Sequence, residues 1–446
     1  MKIVIAGAGD IGSHLAKLLS TEQQDIILID SNKEVLDYVS KRLDVLTIKG
    51  DSSSIDVLQS AGVHKADLFL AVTTSENNNI VSSILAKKLG SKQTIARVNK
   101  LEYLCKEQKE IFSELGVDKL IHPVSLAASE IKRLIELGSV TDNFEFENGK
   151  ISLIGVTLRS DSVFIGRSLR EIDEMYPDMD TRPIAILRGQ ETILPRSNTI
   201  VKQNDHIYFI SLKKDVERLI KIMGRKSTPI NKVMIIGGTD LAFVTAKMLE
   251  EDYQVTIVEK TKSELDRLID DLNEALIIKG DASNADVLRE EGLAGMDAFI
   301  ALSPNSETNI ITSLMAEQEG VGKTIALVDH PDYTRISQHI GIDTLINKKL
   351  IAANNIFRFV RKGKIEAITS LHGVDAEIIE YIVMPNNKLI NKPLRQVKFP
   401  KNAIIAGVIR GEQSIIPTGD FVLQPDDRTI VFAVSNSISQ LEEIFR

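Results

Sequence analysis

Short β-branched runs alternate along the chain with stretches whose apolar residues recur every three or four positions, and this alternation sets the first expectations. The run KIVIA (2–6) has the length and side chains of a buried parallel strand. Ile11, Leu15, Leu18 and Leu19 then fall at helical spacing, and DIILID (25–30) reads as a second apolar strand. LTIKGD (46–51), DLFLAVT (67–73) and TIARV (94–98) follow, separated by helical stretches such as 76–89. Strands alternating with helices in this way predict an α/β lobe with a doubly wound parallel sheet. From 151 to 213 the pattern changes to short β-rich runs broken by turns, as in PIAILRG (183–189), ETILP (191–195) and HIYFI (206–210). A small β-rich lobe is predicted there.

The chain then repeats itself. Residues 48–62 (IKGDSSSIDVLQSAG) and 278–292 (IKGDASNADVLREEG) agree at nine of fifteen positions, at a constant offset of 230. The match extends back to IAGAGDIGSHLAKLL (5–19) beside IGGTDLAFVTAKML (236–249), and forward to TIARV beside TIALV (324–328). AIIAGVIRG (403–411), SIIPTG (414–419) and RTIVFAV (428–434) echo the first small lobe, with Arg188-Gly189 answered by Arg410-Gly411. The predicted fold is therefore α/β, with two tandem Rossmann-like lobes, each followed by a small α+β lobe. The expected domains are 1–124, 140–224, 231–348 and 364–446. Helical stretches at 123–137 and 348–361 join large to small lobes and show apolar faces, suited either to an interface or to core packing. RKSTPIN (225–231) reads as the linker between halves.

The sharpest chemistry lies directly after the first strand. Gly7-Ala8-Gly9-Asp10-Ile11-Gly12 sits at a strand-to-helix turn, and the second strand ends in Asp30, 18 residues after Gly12. In such a turn Gly7 permits the bend, Gly9 lets the backbone approach a pyrophosphate, and Gly12 lets helix and strand pack closely. Unpaired amides at the helix start face the phosphates. A carboxylate at Asp30 can accept from an adenosine ribose and would repel the extra phosphate of NADP, so NAD(H) is the expected ligand. Asp10 would oppose phosphates unless it points away. The carboxyl ends of the other strands nominate Asp51, Thr73, Thr74 and Arg97. Each also has a plainer role: a helix cap for Asp51, a helix start for Thr73-Thr74-Ser75, a surface ion pair for Arg97.

In the second copy the string is Gly237-Gly238-Thr239-Asp240-Leu241-Ala242. Thr239 replaces the glycine that would meet a pyrophosphate, Glu259 answers Asp30, and Leu327 stands where Arg97 stands. Either a weakened second nucleotide site or a purely structural copy fits these changes.

Composition narrows the function. With 446 residues, 43% hydrophobic and 26% charged, the chain suits several globular domains. Its net charge of −8, without a cluster of Lys or Arg interleaved with aromatics, argues against nucleic-acid binding. The start has no secretory signal, and no run reaches the roughly 18 apolar residues of a membrane-crossing helix, so export is not expected and any membrane link comes through a partner. The lone Cys105 reads as part of a helix core face together with Phe112 and Leu115. The seven histidines (14, 64, 122, 206, 330, 339 and 372) show no metal-ligand spacing. His122-Pro123 is placed to serve a helix junction. No acid/base group is recognisable beside a nicotinamide, so no catalysed reaction is expected. An NAD-dependent oxidoreductase with unrecognised acid/base residues is the competing reading.

The chain resembles the TrkA family of potassium-uptake regulators over essentially its whole length. The resemblance is carried by GAGDIG (7–12), LID (28–30), KGD (49–51), TTSENNN (73–79), TIARVN (94–99) and the hairpins LRGQETILP and IRGEQSIIP. It implies tandem domains of the kind that regulate K⁺ conductance, each with an N-terminal nucleotide-binding part and a C-terminal part. It further implies a cytoplasmic subunit, peripheral on the inner face of the membrane. Such subunits assemble as homo-oligomers, a dimer or a tetrameric ring, beneath a membrane-embedded potassium transporter and bind NAD(H), with ATP or ADP also associated. A nucleotide sensor for a different transporter is the alternative within this reading.

Overall fold

The computed structural model describes the chain except for residues 21–23, 137, 139–141, 147–149, 159–161, 190, 224–229, 331–332, 334–341, 343, 362–367, 371–375, 435–436 and 446. The expected linker at 225–231 therefore falls mostly outside the described residues. Two compact bodies emerge. One comprises residues 1–129 and 347–360, the other 130–346 and 361–446.

In the first large lobe, β1 (Lys2–Ala6), β2 (Asp25–Asp30), β3 (Leu46–Lys49), β4 (Leu68–Ala71), β5 (Gln93–Arg97) and β6 (Lys119–Ile121) form one parallel sheet in the order β3-β2-β1-β4-β5-β6. The strand order reverses between β1 and β4, which opens a crevice at their carboxyl ends. Helices α1 (Asp10–Ser20), α2 (Lys33–Ser40), α3 (Ile55–Ser60), α4 (Glu76–Leu89), α5 (Lys106–Leu115) and α6 (Pro123–Glu136) connect or follow the strands. The sheet is apolar on both faces, as two helix layers require. Ile3, Ile5, Leu28 and Leu70 face one layer, and Val4, Ala6, Ile29 and Phe69 the other. The α4 start expected after Thr73-Thr74-Ser75 is present, with the Ser75 hydroxyl accepting the Asn78 amide. His122 serves the junction as expected, Nδ1 to the Ser125 hydroxyl at 2.7 Å and Nε2 to the Asn99 carbonyl at 2.8 Å. Cys105 departs from expectation. It is exposed and sits at the N-cap of α5, whose Ile111 and Leu115 are exposed too, because the helix begins only after it.

The small lobe is an antiparallel five-stranded sheet of β7 (Asp142–Phe146), β8 (Ile151–Thr157), β9 (Thr181–Arg188), β10 (Glu191–Ile193) and β11 (His206–Leu212), with α7 (Leu169–Met175) and α8 (Lys213–Ile222). The repeated Arg-Gly pair has a physical task here. Arg188 forks onto the buried Asp205 at 2.8 and 2.7 Å and also donates to the Ile200 carbonyl, while Arg410 does the same to Asp427 and Val422.

The second large lobe repeats the first. Its parallel sheet contains β12 (Lys232–Ile236), β13 (Gln254–Glu259), β14 (Leu276–Lys279), β15 (Ala298–Ala301), β16 (Lys323–Leu327) and β17 (Thr344–Ile346), ordered β14-β13-β12-β15-β16-β17. Helices α9 (Asp240–Leu249), α10 (Lys262–Asp271), α11 (Ala285–Glu290) and α12 (Ser306–Gln318) connect its strands, and α13 (Lys348–Arg361) follows β17. The second small sheet contains β18 (Ile368–Ser370), β19 (Ala376–Ile382), β20 (Ala403–Arg410), β21 (Gln413–Ile415) and β22 (Arg428–Val434), with α14 (Ile438–Phe445) after it. The two small lobes share a core: Ile151, Leu153 and Tyr208 pack with Ile378, Ile430 and Phe432.

The two connecting helices exchange places. α13 buries Ala352, Ala353, Ile356 and Phe357 in the core of the first large lobe, beside Ile11 and Leu15. Reciprocally, Lys132 of α6 reaches the second large lobe, donating to the Met248 carbonyl and to Asp252 at 3.0 Å each. The apolar face of α13 is therefore core, supplied to one half of the sequence by the other.

Candidate functional site

The glycine turn of the first lobe lies at the carboxyl end of β1, beside the point where the strand order reverses. Gly7 has φ +105°, and a Cβ there would stand 2.8 Å from the Thr73 amide nitrogen. A Cβ on Gly12 would lie 1.8 Å from the Gly7 carbonyl oxygen. Backbone packing alone thus requires both glycines. Gly9 differs: nothing lies within 4 Å of where its Cβ would be. The amides of Gly9, Asp10, Ile11 and Gly12 find no acceptor among the described residues, whereas the next one, on Ser13, bonds the Gly9 carbonyl at 2.8 Å. Open space over unused N–H groups at the positive end of a helix suits a diphosphate. Ile11 leaves only its amide on this side, since its side chain is in the core.

Asp30 closes the other side of this turn. One carboxylate oxygen accepts the Ala8 amide at 2.7 Å and the other accepts the Asn32 amide at 2.8 Å. Each oxygen retains further acceptor capacity, so the group is both an anchor for the loop and a pre-positioned acceptor. Asp10 turns onto the Lys349 ammonium at 2.7 Å.

The other nominated residues separate. Asp51 is exposed, and one of its oxygens accepts from the Ser53 amide, the Ser53 hydroxyl and the Asn78 side chain. Those bonds hold its carboxyl below the ordinary carboxylate range. The cap position of α3 belongs to Ser54, so Asp51 closes the preceding turn. Thr74 is exposed. The Thr73 amide and hydroxyl both donate to Asn79 Oδ1, at 2.9 and 2.7 Å. Asn79 itself is fully buried, and its Nδ2 donates to the carbonyls of Thr73 and Arg97, tying the ends of β4 and β5 together. Sequence reasoning did not single out this asparagine. The signal was its return as Asn309, which makes the same four bonds to Ser303 and Leu327.

Arg97 carries a half-buried guanidinium whose Nε is buried with no hydrogen-bond partner among the described residues. Desolvation presses its pKa down. No ion pair to a described carboxylate relieves it, so the surface pairing that the sequence allowed is absent among the described residues. An arginine remains charged under such pressure. An unmatched cation at the carboxyl end of β5, in a lobe whose glycine turn offers unused amides, is chemistry suited to an anionic ligand.

The second turn is furnished differently. Gly237 retains the bend, with φ +95°. At Gly238, however, a Cβ would meet Glu264 Cβ at 2.7 Å and Glu259 Cγ at 3.0 Å. Glu259 is buried and folds back onto the amides of Lys260 and Thr261. Arg267 donates to the Gly238 carbonyl and to Asp240, both at 2.7 Å, and pairs with Glu264. The Thr239 hydroxyl donates to the Leu302 carbonyl and accepts the Ala242 amide, satisfying a group of the kind left open in the first copy. Leu241 packs in the core, and Leu327 is buried where Arg97 stands in the first lobe. Among the described residues no cluster of metal-ligating side chains occurs, and no helix is long and apolar enough to cross a membrane.

Strand order, glycine turn and strand-end acid define a Rossmann-type protein duplicated in tandem, each copy fused to a small antiparallel lobe. The TrkA-N domain matches residues 3–123 and 233–348, and the TrkA-C domain residues 153–224 and 378–446. The chain belongs to the TrkA family. It is 33% identical to a Trk system potassium uptake protein TrkA homolog of Archaeoglobus fulgidus and 32% identical to one from Methanosarcina mazei, with all of both chains covered in each case. The family is regulatory rather than enzymatic. Among solved structures, the GsuK channel bound to NAD superposes with a TM-score of 0.58 at 14% identity, covering 100% of this chain and 78% of that one. GsuK bound to ADP gives 0.51 at 12%, covering 81% and 70%. These likenesses establish the tandem fold.

Proposed function

We propose that the protein is a nucleotide-sensing regulatory subunit of a potassium uptake transporter, with NAD(H) held at the first glycine turn. The observation that carries this reading is the set of four unused amides over the open side of Gly9, with Asp30 beside them and the unmatched Arg97 at the end of β5. The amides take the diphosphate, Asp30 the adenosine ribose, and Arg97 negative charge. ATP and ADP share the ribose and the phosphate chain, and are the competing ligands for the same turn. The TrkA names of the full-length relatives support a membrane-embedded potassium transporter as partner. In this reading the protein is cytoplasmic and peripheral to the inner membrane face, in a homo-oligomeric ring. Nucleotide shifts the gate because it binds one arrangement of the assembly better than another.

Calorimetric titration of the full chain with NAD⁺, NADH, ATP and ADP tests the ligand. Saturable NAD(H) binding that disappears in Gly9→Val is expected, and a wild type that takes up none of the four nucleotides would remove the proposal. Affinity capture from solubilised membranes tests the partner, with a potassium transporter subunit the expected catch and an unrelated transporter the outcome against it.

A further inference from the structure

Asp10 poses a problem for any diphosphate site. It places a carboxylate on the first residue of the helix whose amides would hold the phosphates, and an anion there competes for the same helix-end field. In this protein the carboxylate is drawn onto Lys349, with Nζ 2.7 Å from Oδ2, and that lysine lies 339 residues further along the chain, in α13. One turn along, the pairing of the two helices continues, with His14 of α1 beside Asn354 of α13. Ala352, Ala353, Ile356 and Phe357 seal the contact in a common core with Ile11 and Leu15.

The second lobe shows that this aspartate is neutralised in both copies by different means. Asp240, its equivalent, is held at 2.7 Å by Arg267 of α10, a residue of its own lobe. Only in the first lobe does the cation arrive from the opposite half of the sequence. Resting on the reading of the first turn as a dinucleotide site, we propose that Lys349 is a positioning residue of that site. It cancels the charge of Asp10 and leaves the helix end to the ligand, and it makes α13 an element that registers occupancy. No sequence motif of the first lobe contains this residue. In chain order α13 lies between the second large lobe and the second small lobe, so a ligand that strengthens or loosens the Lys349–Asp10 pair acts on the segment that links them in sequence.

The test is an NADH fluorescence titration of the full chain at low ionic strength, on wild type, Lys349→Met, Asp10→Asn and the double variant. Lys349→Met is expected to weaken binding about two- to fivefold, the range of a partly exposed ion pair. Asp10→Asn should bind no more weakly than wild type, the double variant should return to the Asp10→Asn value, and Lys349→Arg should match wild type. Hydrogen exchange at saturating NADH supplies a readout that simple packing would not move. Amides of 348–361 should gain protection in wild type and lose that gain in Lys349→Met. Unchanged affinity in Lys349→Met, or a double variant as weak as Lys349→Met, would overturn the role of Lys349 while leaving the site intact. A wild type that does not bind NADH would overturn the site and this inference together.

Discussion

The two large lobes began as one sequence, and their glycine turns now differ in an orderly way. What the sheet needs is present in both. Gly7 and Gly237 bend with positive φ against the neighbouring strand end, Asn79 and Asn309 tie the same two strand ends, and Asp51 and Asp281 close the same turn over Ser53 and Ser283. What a ligand would need is present in one. Open Gly9 has become the capping Thr239, Asp30 the longer and inward-folded Glu259, and the unmatched Arg97 the buried Leu327. Comparing the copies thus separates residues that both sheets need from those to which the proposed function assigns the ligand.

The comparison can be broken most directly at the turn itself. Gly9→Val should abolish NADH binding with little effect on unfolding, because the new side chain enters open space; a full-affinity variant would show that the ligand lies elsewhere. Asp30→Ala should cost about 1.5–3 kcal/mol of binding as a charged acceptor is lost, measured by the same titration. Asn79→Ala and Asn309→Ala should each destabilise the chain by roughly 1–3 kcal/mol in denaturant unfolding, since each strands buried polar groups. Only the first should also weaken NADH, and equal weakening by both would erase the distinction between lobes. Thr239→Gly should leave the NADH stoichiometry at one per chain, because Glu259, Glu264 and Arg267 still fill the turn; a second equivalent would show that Thr239 alone had closed it.

The smallest expected effect is the pH response of Asp51 and Asp281. Hydrogen bonds from Ser53 and Ser283 lower both carboxyl pKa values in the folded state. The stability they contribute is present above the unfolded carboxylate pKa of about 4 and is lost as pH falls through the lowered folded values. Asp51→Asn and Asp281→Asn should flatten acid unfolding curves to the same slight degree. A clear difference between them would mean that the turns are no longer equivalent.

Much of this is legible in the chain alone. The strand runs, the glycine turn, Asp30 and the offset of 230 fixed the lobes, because parallel strands are apolar throughout and a duplicated surface leaves duplicated residues. Periodicity could not reveal which of two equally spaced carboxylates folds inward. Asp30 and Glu259 both end a second strand, but one extra methylene lets Glu259 fill the space over Gly238. Cys105 was misplaced for a similar reason: its neighbours have helical spacing, yet the helix starts one residue later and leaves the thiol in solvent.

The amino-acid sequence by itself determined the local elements, their order and the duplication, since these are written in side chains close together along the chain or in their repetition. The tertiary structure alone decided that α13 belongs to the core of the first lobe, that Asp10 meets Lys349, and that Arg97 makes no ion pair with a described carboxylate while Arg267 pairs with Asp240 and Glu264. The first two outcomes depend on packing between segments hundreds of residues apart, and nothing in a local pattern records which distant helix will occupy a given face.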